Sequence, residues 1–175
     1  MATSYKEIMN NIDTLIFDVD GVLTNGMITI TTDGQMYRHM NIKDGYALRS
    51  AVLAGFNVCI ISGGSNEGVR KRLEGLGITD IYLGAHQKMI QFEEYCSNKG
   101  IDASTIMYMG DDIPDLPVMQ QVALACAPQD AAPEIKDVAE YISQIKGGDG
   151  CVRDVIEQVM RVQGKWTTQT EAKYD

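Results

Sequence analysis

Two rhythms alternate along the chain. Short apolar runs, "TLIF", "NVCII", "DIYL", "STIMYM", "ALACAP" and "EYIS", have the length and composition of strands. Between them lie stretches with helical spacing. "DGYALRSAVLAGF" has Asp44 as a possible N-cap and Gly55 as its stop, and a second helix runs from Ser65 to about Leu76, closed by Gly77. "HQKMIQFEEYCSNKG" and "DLPVMQQV" continue the pattern, and a last helix spans Asp149 to about Gln163. There Val152, Val155, Ile156, Val159 and Met160 fall at i, i+3, i+4, i+7 and i+8, one apolar face. One segment departs from both rhythms: "MITITTDGQMYRHMNI" alternates at period two around Asp33-Gly34, which predicts a hairpin over Met27 to Asn41. The expected fold is α/β, a doubly wound (Rossmann-like) parallel sheet with helices on both faces and a β-hairpin insertion after the first strand.

In such a sheet ligands bind outside the carboxyl ends of the strands, and the polar residues collect at those ends. Asp18 and Asp20 close the first strand, Ser62-Gly63-Gly64 the second and Asp111-Asp112 the fourth, while Lys88 opens the helix after the third. Burying an unpaired carboxylate costs several kcal/mol, and a second one nearby raises the cost unless a proton or cation intervenes. Residues i and i+2 of a strand share a face, so Asp18 and Asp20 converge, and Gly21 lets the chain turn away at once. The pair suits a hard cation such as Mg²⁺ whose remaining shell is filled by a substrate phosphate. Phosphoryl transfer has a use for each piece. Asp18 would attack phosphorus, and Asp20 would protonate the leaving oxygen and then deprotonate the hydrolytic water. Ser62 and the N–H groups around Gly63 would cradle phosphate oxygens, Lys88 would neutralise charge, and Asp111 would complete the metal shell. Asp111-Asp112 could also serve as the N-cap of a helix starting near Pro114, with Asp112 and Asp115 as supporting residues rather than direct ligands. D-x-D-G alone is also common in surface turns and calcium loops; the order of all four pieces at strand ends is what argues for chemistry.

Composition narrows the setting. With 175 residues, 45% of them hydrophobic, the chain can bury one core, so a single domain over residues 1–165 is expected, followed by a disordered polar tail over 166–175. A formal charge of −9 and a pI near 4.6 exclude an extended nucleic-acid surface. No run of about 18 apolar residues and no basic-then-apolar leader occurs, so a cytoplasmic protein away from the membrane is expected. The scattered cysteines, Cys59, Cys96, Cys126 and Cys151, read as reduced thiols rather than a zinc site.

"DVDGVLT", "SGG", Lys88 and "GDDIPD" stand in the order of the motifs of the haloacid dehalogenase-like phosphatases, which the chain resembles over nearly its whole length. The resemblance implies a Mg²⁺-dependent phosphohydrolase with Asp18 as nucleophile, Asp20 as acid/base and metal ligand through its carbonyl, and Asp111 as the other ligand. The connections around the hairpin and between Gly64 and Lys88 are too short for the cap domain many members carry, so a capless member is expected, with another subunit as lid. Within that group "DGVLTNGMITITTDGQMYRHMNIKDGYALR", "GDDIPDLPVM" and "GGDGCVRDVIEQVMRVQGKW" resemble the 3-deoxy-D-manno-octulosonate 8-phosphate phosphatases of lipopolysaccharide sugar biosynthesis. The implied assembly is a homotetramer built on the hairpins, in which neighbouring subunits complete each site. The implied substrate-binding residues are Asp20, Asn41, Ile42, Lys43, Asp44, Gly45, Ser62, Gly63, Arg70 and Lys88.

One position departs from the family pattern. Gly64 stands where [ST]-G-R often puts an arginine, a natural partner for a sugar-acid carboxylate, and Arg70 or a neighbouring chain's Arg38 or Arg153 is a candidate substitute. A nonulosonate 9-phosphate phosphatase is the close alternative. A receiver-type phosphoacceptor switch and a catalytically silent binding or activator subunit are the alternatives of other classes.

Overall fold

Leu15, Ile16 and Phe17 have no exposed surface, and the strand they form, β1 (Thr14–Phe17), lies in the middle of the sheet. The computed structural model describes residues 4–166. After α1 (Tyr5–Met9) and β1 come a small hairpin, β2 (Thr29–Ile30) with β3 (Met36–Tyr37), then α2 (Ile42–Leu53), β4 (Asn57–Ile61), α3 (Glu67–Gly75) and β5 (Asp80–Tyr82). The second half runs α4 (Lys88–Lys99), β6 (Ile106–Met109), α5 (Leu116–Met119), β7 (Leu124–Ala127), α6 (Pro133–Val138), β8 (Tyr141–Ile142) and α7 (Cys151–Val162).

The main sheet has six strands in the order β5-β4-β1-β6-β7-β8, and every pairing is parallel. Chain order therefore reverses at β1: one connection leads out to β4 and β5, the next returns to β6 on the other side. The crevice beside β1 is the topological switch point at which α/β sheets bind ligands. Alternation along β1 splits the core in two. Leu15 and Phe17 pack with Leu48, Leu73, Val155 and Val159 on one face, and Ile16 packs with Phe92, Tyr95, Tyr108 and Ile135 on the other. The apolar face expected for the last helix is all buried.

Element ends shift for identifiable reasons. The first long helix starts at Ile42 because Asn41, not Asp44, caps it, its side chain accepting the Lys43 N–H. Asn66 rather than Ser65 caps α3, accepting the Val69 N–H. Two short helices were not expected. A Ser4–Glu7 capping box opens α1, and α6 begins at Pro133, where a missing N–H is harmless. The expected hairpin is present but its ladder is short, with Gly34 at φ +83° in the turn. The four cysteines are free thiols. Among the described residues no helix is long and apolar enough to cross a membrane. Of the expected tail, residues 167–175 lie outside the described residues.

Candidate active site

Four strand ends meet at the switch point. Asp18 follows β1, Ser62 follows β4 and Asp111 follows β6, while Lys88 opens α4 just beyond β5. These side chains, with Asp20, Gly63, Gly64, Asp112 and Asp115, line one cavity of about 420 Å³, to which Gly26, His86 and Pro114 also contribute. That volume suits a small metabolite.

Close backbone approach creates the acidic end of the cavity. Gly21 turns the chain at φ +89°, and a Cβ placed there would lie 1.9 Å from Asp111 Oδ2. A Cβ at Gly110 would likewise come within 2.4 Å of Asp115. Both glycines are required by the space the carboxylates fill.

Lys88 is buried between two of those carboxylates, its Nζ 2.8 Å from Asp18 Oδ2 and 2.6 Å from Asp115 Oδ1. Burial alone would lower its pKa, but Asp18 and Asp115 outweigh burial and hold it above the ordinary lysine value. Asp18 Oδ1 accepts the Val19 N–H at 2.6 Å. Burial first, and the Asp115 charge second, nevertheless raise Asp18 to about 6, with Lys88 only partly offsetting them. Burial, followed by the charges of Asp18 and Asp115, raises Asp111 to about 7. Carboxylate oxygens of Asp18, Asp111 and Asp115 lie within 4.8 Å of one another, so one ammonium faces an excess of acid.

Asp115 is committed elsewhere. Its Oδ1 accepts from Lys88 and from the buried Tyr108 hydroxyl at 2.6 Å, and its Oδ2 accepts the N–H groups of Asp111 at 3.1 Å and Asp112 at 3.4 Å. With its lone pairs filled, it holds Lys88 and the Asp111–Asp112 backbone in place and leaves Asp18 and Asp111 as the carboxylates able to meet a metal. Asp112 caps the turn Ile113–Asp115, accepting the Ile113 N–H at 2.9 Å. Ser62 is buried, and its Oγ accepts the Gly64 N–H at 3.3 Å, which fixes the glycine turn at the cavity wall.

Asp20 lines the cavity with Asp18 as expected, and it has a partner the sequence does not reveal. Its carboxylate is held in a two-point pair by Arg38 of the same chain, with Nε to Oδ1 at 2.6 Å and Nη2 to Oδ2 at 3.0 Å. The sequence suggests Arg38 only as a residue reaching across from a neighbouring chain, whereas the structure pairs it with Asp20 of its own chain. Tyr108 was missed as well, as an apolar-looking residue inside a core strand.

The residues expected on the substrate from the start of α2 do not line this cavity. Asn41 is spent on the helix cap and on Gly148 O at 3.3 Å, while Ile42 and Lys43 are exposed. Asp44 and Gly45 are buried, and Asp44 Oδ1 accepts the Arg153 N–H of α7 at 2.7 Å, so it faces inward. Arg70 also lies off the cavity, with Nη1 3.4 Å from Ile81 O and Nε 3.6 Å from Glu67.

Comparison with known proteins agrees with this arrangement. Residues 76–155 match the model of the haloacid dehalogenase-like hydrolases. The 3-deoxy-D-manno-octulosonate 8-phosphate phosphatase of Escherichia coli K12 is 39% identical over 155 residues, covering 89% of this chain and 82% of that protein. The crystal structure of the Yersinia pestis phosphatase of the same name superposes with a TM-score of 0.91 at 35% identity, covering 94% of this chain and 89% of that one. The Moraxella catarrhalis phosphatase, crystallised with magnesium, phosphate and KDO, superposes at 0.89 with 29% identity, covering 91% of this chain and 92% of that one. The chain belongs to the haloacid dehalogenase-like hydrolases and, within them, to the 3-deoxy-D-manno-octulosonate 8-phosphate phosphatase family.

Proposed function

We propose that this chain hydrolyses 3-deoxy-D-manno-octulosonate 8-phosphate to 3-deoxy-D-manno-octulosonate and phosphate, with Mg²⁺, in the cytoplasmic phase of lipopolysaccharide sugar biosynthesis. The observation that carries the reading is the buried Asp18–Lys88–Asp115 chain facing Asp111 at the switch point, in a protein 39% identical to a phosphatase of that name.

The donor set fits Mg²⁺. Asp18 and Asp111 offer hard carboxylate oxygens within 4.8 Å of each other, and the Asp20 carbonyl would complete the protein's share. Bound there, the cation supplies charge neutralisation for the carboxylates and the phosphoryl group. The chain's own groups carry the bond changes. Asp18 attacks phosphorus as the bond to the sugar oxygen breaks, giving an aspartyl phosphate. Asp20 donates its proton to the departing oxygen, then takes one from the water that cleaves the acyl phosphate and frees Asp18. Ser62 and the Gly63 N–H hold phosphoryl oxygens, and Lys88 keeps Asp18 aligned and screens the charge.

The same reading makes residues 1–165 one phosphatase unit with the hairpin as its assembly element. Met27, Ile30 and Tyr37 are 68%, 66% and 56% exposed there, a surface that suits burial in a homotetramer. In that assembly Ile42 and Lys43, exposed and off their own cavity, would be free to meet a neighbour's substrate.

Mg²⁺-dependent phosphate release from octulosonate 8-phosphate, nonulosonate 9-phosphates, hexose phosphates and nucleotides tests the reading. Preference for the octulosonate is expected, with Asp18→Asn reducing turnover by at least about 10³-fold. Preference for a nonulosonate reassigns the substrate, and near-normal turnover by Asp18→Asn removes the mechanism.

A further inference from the structure

We propose that Arg38 is the positioning residue for Asp20, and that the hairpin carrying it is thereby part of the catalytic apparatus. The inference rests on the acid/base assignment of Asp20 made above.

Asp20 sits where the chain swerves at Gly21, and its side chain is 36% exposed, so nothing in β1 fixes its rotamer. Arg38 supplies what the strand does not. Its fork engages both carboxylate oxygens, and its own side chain is only 11% exposed. A two-point, charge-assisted contact sets the plane and position of the ionised carboxylate; when Asp20 carries the proton it gives to the leaving oxygen, one oxygen is the donor and Arg38 holds the other. The arginine is itself held by the fold. It follows β3 directly, and Asn66, the cap of α3, donates from Nδ2 to Met36 O at 3.1 Å, which ties that strand to the cavity wall.

Gly64 makes room for this arrangement. A Cβ at that position would lie 3.1 Å from Asp20 Oδ2 and 3.3 Å from Arg38 Nη2, tighter than ordinary van der Waals contact. The bare glycine and the hairpin arginine thus belong together: the space a side chain at position 64 would take is held by Asp20 and Arg38. Three of the five N–H groups of Arg38 are left over once Asp20 is engaged, so the pair does not exhaust the guanidinium.

Positioning of a general acid leaves a specific kinetic signature, because a poor alkoxide leaving group needs the proton and a nitrophenolate does not. The measurement is kcat and KM for octulosonate 8-phosphate and for 4-nitrophenyl phosphate, with wild type, Arg38→Met, Arg38→Lys, Asp20→Asn and the Asp20→Asn/Arg38→Met double variant. Circular dichroism and melting temperature establish that each is folded. For Arg38→Met, kcat on the sugar phosphate is expected to fall about 100-fold with KM changed less than about threefold, and kcat on the aryl phosphate to fall less than about fivefold. Arg38→Lys keeps the charge but loses the fork, and an intermediate loss is expected. In the double variant the sugar-phosphate kcat should match that of Asp20→Asn alone, since residues that act as a unit are not additive. Equal losses on both substrates, a loss confined to KM, or full additivity in the double variant would overturn the role of Arg38. If Asp20→Asn itself shows no leaving-group dependence, the acid/base assignment fails instead. If the wild type prefers another sugar phosphate, that ester replaces the octulosonate and the comparison stands.

Discussion

At the scale of single residues the site is a problem in surplus negative charge, and its pH behaviour follows. Asp18 at about 6 and Asp111 at about 7 both lie above the ordinary aspartate value of 3.8. In metal-free protein the folded state therefore holds protons that the unfolded chain has already released between pH 4 and 7. Stability attributable to this pair is full below about pH 4, is lost as the pH rises through about 7, and is flat above. Both carboxylates must be ionised to hold Mg²⁺, so affinity for the metal should climb through the same window. Calorimetric titration of Mg²⁺ should show at least about tenfold weaker binding for each pH unit below 6, and Asp111→Asn should flatten that dependence. An affinity constant from pH 5 to 8 would show that the acidic cluster is not the metal site. The sequence made most of this cluster legible, because strand-end carboxylates in a parallel sheet have few other uses. It could not show the Asp20–Arg38 pair. Eighteen positions separate those residues along the chain, and only the hairpin's path brings them together.

At the scale of elements, Asp44 shows how a residue expected on the substrate serves the fold. Helix α7 begins after Gly150, which has no side chain to cap it, and Asp44 accepts the N–H of Arg153, the third residue of that helix. It does from α2 what a capping residue normally does locally. Its other oxygen has no partner, and burial raises the group to about 6, with the Arg153 N–H and charge only partly offsetting that. The sign is again that of an acid with a raised folded pKa: stability falls as the pH rises from about 4 to 6, by roughly 3 kcal/mol for this shift. Urea unfolding in saturating Mg²⁺, which keeps Asp18 and Asp111 ionised, isolates it. Asp44→Asn should keep the cap and lose the slope, whereas Asp44→Ala should cost about 1–2 kcal/mol by losing the acceptor. An unchanged slope in Asp44→Asn would place the titrating group elsewhere. Strand and helix order was readable because each long element has one clear apolar period. The Ser4-x-x-Glu7 capping signal for α1 is likewise present in the sequence. The cross-element cap was not readable, since capping propensity is a local rule and this cap spans 109 positions.

At the scale of the molecule, the two roles proposed for the hairpin, assembly and support of Asp20, are linked. A two-stranded ribbon is marginal in water by itself, and this one displays Met27, Ile28, Ile30, Met36 and Tyr37 to solvent. Exposed apolar side chains on an unpaired ribbon are an adhesive surface, and four copies packing their ribbons together would bury it. Arg38 follows β3 on the same ribbon, so whatever steadies the ribbon also steadies Asp20. Activity and assembly should therefore fail together. Ile30, 66% exposed on the ribbon and outside the lining of the cavity, is the position at which to introduce a charge. With the tetramer proposed above as the wild-type state, Ile30→Glu should be monomeric in light scattering and have kcat on the sugar phosphate lowered by roughly tenfold or more, with a smaller loss on 4-nitrophenyl phosphate. A fully active monomer would separate assembly from catalysis and leave Arg38 held by its own chain alone. A monomer with the leaving-group signature of Arg38→Met would instead trace the effect of assembly to the orientation of one carboxylate.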